Sequence, residues 1–102
     1  HKHELDDLNW QPPSWVWLEQ AGKEFTISVS ALRAGDCIVV HTGEMIPVAG
    51  VVIDGVAWVK ERNLPADAPT LFDKRQAGSL VEAATIVQAG CIWVLVDGSV
   101  HQ

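Results

Sequence analysis

From Trp15 to Val96 the chain is a succession of short apolar, β-branched runs, each cut off within a few residues by Gly, Pro or Asp, and this punctuation constrains the fold more than any other feature. Trp15-Val16-Trp17-Leu18 precedes the turn chemistry of Ala21-Gly22-Lys23. Phe25-Thr26-Ile27-Ser28-Val29 then alternates apolar with polar at the two-residue period of a half-buried strand. Cys37-Ile38-Val39-Val40 follows Ala34-Gly35-Asp36, and Thr42-Gly43-Glu44 separates it from Ile46-Pro47-Val48 and Val51-Val52-Ile53. Asp54-Gly55 predicts a tight hairpin with Ala57-Trp58-Val59-Lys60 as its return strand, because few residues tolerate the positive φ that such turns demand. Pro65 and Pro69 mark a loop over Asn63 to Pro69. Beyond it come Leu71-Phe72, a turn from Lys74 to Gly78, Leu80-Val81-Glu82-Ala83, a turn at Ala89-Gly90, and Ile92 to Val96 closed by Asp97-Gly98. A helix over Ser79 to Gln88 competes with the strand reading, since Leu80, Ala83, Ala84 and Val87 fall at helical spacing. The expectation is an all-β domain, either sandwich, jelly roll or barrel. Residues 1–12 read as a lead-in, helical through Leu5 and Leu8 and stopped by Pro12-Pro13, and residues 13–102 as the β domain.

At 102 residues the chain holds one core, and 48% hydrophobic with 20% charged residues excludes a disordered tail. Seven Lys and Arg against thirteen Asp and Glu leave a net charge of −6 with no basic cluster, so no nucleic-acid partner is expected. Apolar runs stop far short of the roughly 20 residues that a membrane-spanning helix needs. His1-Lys2-His3-Glu4 opens the chain without Met and without the apolar stretch of a signal peptide, so the chain reads as an excised piece. Cys37 and Cys91 lie far apart in apolar runs and read as buried, inert thiols rather than a zinc or redox pair. His1 and His3 are terminal, and His41 and His101 are isolated; no metal site is expected. Packing accounts for most of Trp10, Trp15, Trp17, Trp58 and Trp93, with docking of Trp10 to Trp17 on a neighbouring domain or membrane interface as the other reading.

The order of the turn residues goes further. The run from Leu32 through Gly35-Asp36, Gly43-Glu44, Ile46-Pro47-Val48-Ala49-Gly50 and Val51-Val52 resembles the signature of the actuator domain of P-type ATPases, especially the copper- and zinc-type transporters. The similarity continues through Gly55 to Glu61 and Gly78 to Thr85, covering about Leu5 to Val96. It implies a distorted jelly roll, akin to a double-stranded β-helix, on the cytoplasmic side of a membrane. Its partners would be the nucleotide-binding and phosphorylation domains and transmembrane helices of one parent chain. The isolated domain would not be an enzyme and would hold no cofactor; ATP and Mg²⁺ are implied only for the parent family of ATP-driven cation translocases. Gly35, Gly43, Gly50 and Gly55 would serve as structural turns, Pro47 would lie in the Ile-Pro motif, and Asp36 and Glu44 would accept backbone amide bonds within their turns.

One segment departs from that pattern. The family carries Leu-Thr-Gly-Glu in a loop whose Glu positions the water that hydrolyses an aspartyl phosphate on a separate domain. Here Leu64 is followed by Pro65, Ala66 and Asp67, where the family has Thr, Gly and Glu. Pro65 lacks the hydroxyl and the amide proton, Ala66 adds a Cβ, and Asp67, the one candidate catalytic residue, is a methylene shorter than Glu. Ala49 and Ser79 stand where the family has Asp, and Ala84 where it has Gly. The resemblance thus implies an actuator-like domain defective in phosphate hydrolysis. The alternative is a stand-alone β-sandwich binding module or lipoyl-type carrier, with Lys74 as the modified lysine of a tight hairpin. No nucleophile–base pair or phosphate loop nominates an independent enzyme.

Overall fold

The computed structural model describes residues 13–61 and 72–97. The helical reading of the lead-in over residues 1–12 lies outside them. The described chain is all-β, as the punctuation predicts: β1 (Trp15–Gln20), β2 (Lys23–Ser28), β3 (Cys37–His41), β4 (Met45–Ile46), β5 (Gly50–Glu61), β6 (Asp73–Gln76), β7 (Leu80–Val81) and β8 (Thr85–Val96), with a single 3-10 turn at Val29–Ala31. They form one eight-stranded antiparallel sheet in the order β2-β1-β3-β8-β5-β6, with β4 added to β8 and β7 to β5. The competing helix over Ser79 to Gln88 is absent; β7, a turn at Ala83-Ala84 and the start of β8 occupy it.

Two predicted turns are overturned. Asp54-Gly55 does not reverse the chain, and neither does Ala89-Gly90; each sits inside a 12-residue strand. β5 and β8 pair along their whole length, and the register slips between Val52 and Asp54 and again between Trp58 and Val59. Ile53 is thereby the extra residue on β5 and Gln88 the extra residue on β8, as in β-bulges, which bend a strand and increase its twist. Gly55 at φ +84° and Gly90 at φ +100° supply backbone that L side chains rarely adopt. A turn dipeptide therefore became a bend because a partner strand was available on both sides of it.

The bends are required by the connections. Ile46 pairs with Thr85 at one end of β8, and Gly50 pairs with Val96 at the other. Four residues of chain reach at most about 14 Å, whereas a straight strand from Thr85 to Val96 would run roughly 36 Å. With each end about 5 Å from its partner, the ends of β8 lie within about 25 Å of each other, so β8, and β5 with it, must curl. The curled sheet wraps its inner face around one core built from Val16 and Leu18, Ile38 and Val40, Val52, Ala57 and Val59, and Val87, Ile92, Val94 and Val96, with Ile46 of β4 and Val81 of β7 added and Leu32 filling it from a connection.

Gly50 was read as a turn glycine, yet it lies at the start of β5 without a positive φ. A Cβ there would meet the Leu95 carbonyl oxygen at 2.3 Å, so close packing, not a reversal, requires glycine. Ala84, where the related pattern has Gly, holds φ +76°. Left-handed backbone costs an L residue about 1–2 kcal/mol. Ala84→Gly is accordingly expected to stabilise the domain by about 1 kcal/mol after the greater freedom of glycine in the unfolded chain is offset. The midpoint of urea unfolding measures it; a lowered midpoint would contradict the assigned strain.

Candidate functional site

The loop residues Leu64, Pro65, Ala66 and Asp67 lie outside the described residues, and the structure defines the stem from which they extend. β5 carries the chain toward them, with Val59 opposite Val87, Lys60 opposite Ile86 and Glu61 opposite Thr85. β6 takes the chain back beside β5, Asp73 opposite Val59 and Lys74 opposite Trp58. Val59 and Val87 are fully buried, so the stem is pinned to the core two register steps before β5 ends. Residues 62–71 thus span two hydrogen-bonded neighbours. Lys74 is exposed within β6 rather than at a hairpin tip; the turn is at Ala77-Gly78, with Gly78 at φ +94°. A carrier lysine must project from the tip, so this placement corrects the lipoyl-type reading.

The turn residues fall into two groups along β8. At the Val96 end, Asp36 Oδ2 accepts the Arg33 amide proton at 2.8 Å, while the Gly35 amide donates to the Val96 carbonyl and the Val96 amide to the Asp36 carbonyl. Gly35 has φ +90°. Ala49 is there too, its carbonyl accepting from the Asp97 amide at 3.0 Å. At the loop end, Glu44 Oε1 accepts the His41 amide proton at 2.8 Å, and the Gly43 amide and Glu44 carbonyl bond to Val87. Pro47 is buried beside Ile46, which pairs with Thr85, itself opposite Glu61 of the stem. Ser79 still caps its turn, Oγ accepting the Gln76 amide proton at 3.1 Å. A hydroxyl oxygen thus serves as acceptor at the position where the related pattern has Asp.

Sequence reasoning passed over Thr42. Its hydroxyl donates to the Gly90 carbonyl at 2.9 Å and its oxygen accepts the Gly90 amide proton at 3.0 Å, closing the bend of β8 onto the Gly43-Glu44 turn. Also missed was a cluster on the outer face of the sheet. His41 Nε2 lies 3.4 Å from Glu24 Oε1, and His41 Nδ1 lies 3.5 Å from Cys91 Sγ. The Trp17 ring meets the imidazole edge-on at 6.3 Å, and Trp15 meets Trp17 at 5.8 Å. His41 and Cys91 are register partners across β3 and β8, which no spacing in the sequence reveals.

Both cysteines are free and half-buried, not core residues, because strand parity puts them on the outer face. Burial first, then Glu24 and Glu44, pushes the Cys91 thiol above its ordinary value; burial, Glu19 and Asp54 do the same to Cys37. Neither is therefore poised as a thiolate nucleophile at neutral pH. Among the described residues no three His, Cys, Asp or Glu side chains converge as a metal cage, and no helix is long and apolar enough to cross a membrane.

Comparison with known proteins bears on the loop and its scaffold together. The family model of the P-type ATPase actuator domain matches residues 11–101. A probable copper-exporting P-type ATPase of Archaeoglobus fulgidus is 38% identical over 72 residues, 70% of this chain and 9% of that protein. The potassium-transporting ATPase ATP-binding subunit 2 of Listeria innocua is 41% identical over 79 residues, 76% of this chain and 12% of that one. The chain thus corresponds to a small fraction of each relative. The crystal structure of a zinc-transporting PIB-type ATPase in its E2.Pi state superposes with a TM-score of 0.75 at 22% identity, over 84% of this chain and 14% of that chain, a likeness of fold.

Proposed function

The chain belongs to the P-type ATPase actuator-domain family, and from that premise we propose that it is the cytoplasmic actuator of a heavy-metal cation pump whose aspartyl-phosphate hydrolysis is slowed. The observation that carries the reading is a contrast within one molecule. The scaffold keeps its positive-φ glycines at Gly35, Gly43 and Gly55 and its turn carboxylates Asp36 and Glu44, while the loop reads Leu64-Pro65-Ala66-Asp67 in place of Leu-Thr-Gly-Glu. The copper-exporting relative and the copper- and zinc-type signature support the heavy-metal assignment.

In this reading β5 is the lever. A strand hydrogen-bonded to β8 over its whole length transmits rotation of the domain to the loop without bending further, and the connections to the membrane helices apply that rotation. ATP and Mg²⁺ belong to the nucleotide-binding and phosphorylation domains of the parent. What the loop must supply is a carboxylate within hydrogen-bond reach of the attacking water. Asp67 is a methylene short, Pro65 fixes φ and removes a donor, and Ala66 carries a Cβ where close backbone approach needs glycine. A misplacement on the order of 1 Å costs about a hundredfold in rate.

The test is the lifetime of the phosphoenzyme formed from ATP by the full-length parent. Replacing Pro65-Ala66-Asp67 with Thr-Gly-Glu is expected to speed its decay about a hundredfold. Equal decay before and after the replacement would overturn the assigned defect.

A further inference from the structure

The outer face of the sheet carries a second apolar layer that the loop and its lever do not use. Across four strands, Trp17 of β1, Val39 of β3, Trp93 of β8 and Asp54 of β5 stand in one register row. Val39 is fully buried yet is not part of the inner core, because strand parity turns it outward between the two tryptophans. Trp15 extends the layer along β1, 49% exposed and edge-on to Trp17 at 5.8 Å. Beside them opens a cavity of about 310 Å³, lined by Trp15, Trp17, Val39 and Met45, with Glu44 as its one charged side chain among the described residues. It has room for one long side chain.

Carboxylates rim this layer. Glu19 follows Trp17 on the same face, Glu24 is its register partner on β2, Asp54 closes the row beside Trp93, and Glu44 borders the cavity. Like charges directly opposite each other, as Glu19 and Glu24 are, destabilise a strand pair. Glu24 has the His41 imidazole 3.4 Å away, and among the described residues none of the four carboxylates meets a lysine or arginine. Their field reaches the thiols on this face: after burial, Glu19 and Asp54 push Cys37 up, and Glu24 and Glu44 push Cys91 up. A surface that is aromatic and negative is complemented by a segment that is apolar and cationic. Guanidinium suits it best, since it stacks on an indole and forks onto a carboxylate. An anionic membrane leaflet does not, because it attracts basic patches and repels these carboxylates.

We propose that the outer face of β1, β3 and β8 docks an arginine-bearing apolar polypeptide segment, one arginine entering the cavity with its stem along Trp15 and Trp17 and its guanidinium on Glu44. Glu44 Oε1 accepts the His41 amide proton at 2.8 Å, which holds the carboxylate in place and leaves Oε2 for the guanidinium. The surface stands apart from the Glu61 stem of the loop, so its test does not depend on the proposed hydrolytic defect.

The probe is an eight-residue peptide alternating arginine with leucine, whose extended length of about 28 Å spans the four strands. It is titrated into the ¹⁵N-labelled 102-residue chain, and the indole N–H signals, assigned by Trp→Phe replacement at each position, are followed by NMR. The signals of Trp15 and Trp17 are expected to move saturably. Trp58 is the control, as exposed at 46% but opposite Lys74 on the stem, and its signal should stay in place. Glu44→Gln keeps an oxygen for the His41 amide and is expected to require about 10-fold more peptide. Asp54→Asn likewise keeps an acceptor for the Gly55 amide and should require about 2- to 5-fold more. Equal shifts with a glutamate–leucine peptide, equal movement of Trp58, or no weakening in either variant would overturn the site. So would cosedimentation of the chain with phosphatidylcholine–phosphatidylserine vesicles that Trp15→Ala abolishes, which would put a membrane on this face instead.

Discussion

Replacing Gly90 with alanine is expected to destabilise the domain by about 4 kcal/mol or more, a large share of the roughly 5–15 kcal/mol that holds a domain of this kind together. Two independent costs add at this position. The backbone has φ +100°, where an L residue pays about 1–2 kcal/mol. The new Cβ would also sit 2.3 Å from the Val56 carbonyl oxygen and 3.0 Å from the Ala57 Cα, both backbone atoms of the paired strand. Relief requires β5 and β8 to part at the bend, and parting them also breaks the two bonds that Thr42 makes to Gly90. Gly78→Ala is the internal control, since Gly78 has φ +94° with nothing within 4 Å of an added Cβ. It should lose only about 1–2 kcal/mol. Urea unfolding of the two variants measures the difference; equal losses would show that the close approach at Gly90 is not what demands glycine.

Gly55 and Gly90, the two glycines at the bends, mark what is and is not legible in the sequence. Each short β-branched run was legible as strand because alternation and turn residues act over a few positions. Whether Asp54-Gly55 and Ala89-Gly90 end a strand or bend it was not, because the same positive-φ backbone serves both and the choice is made by a partner strand far away in the chain. Asp54 Oδ1 accepts the Gly55 amide proton at 2.8 Å, a local bond equally at home in a hairpin. The cysteines illustrate the same limit. Cys37 and Cys91 sit in apolar runs, yet the parity that turns them outward depends on which face of the sheet meets the core. The Glu24–His41–Cys91 cluster was invisible for this reason, its histidine and cysteine being 50 residues apart and each unremarkable alone. The family signature was legible because it is an order of turn residues, which local chemistry does fix; the departure of its loop from that signature was legible because Pro65, Ala66 and Asp67 differ in backbone freedom and reach, properties of the residues themselves.

Within β8 the two faces of the curled sheet should separate by their response to truncation. Ile92→Ala is expected to cost about 2–5 kcal/mol, and Leu95→Ala less than about 1 kcal/mol. Ile92 is 0% exposed and lies between Val40 of β3 and Gly55 of β5, the point where the bend of β5 brings its backbone over β8. Its side chain belongs to the buried core cluster, whose close packing does not collapse fully over removed atoms. Leu95, an odd number of residues along the same strand, faces the opposite way beside Cys37 and Val51 and is 40% exposed. Truncating it removes little area from contact. Because both substitutions remove the same number of carbon atoms from one strand, composition and strand propensity nearly cancel in the comparison, and the difference in urea midpoint reports the burial of each face. Comparable losses at the two positions would mean that the outer face is covered by residues packed as closely as the core.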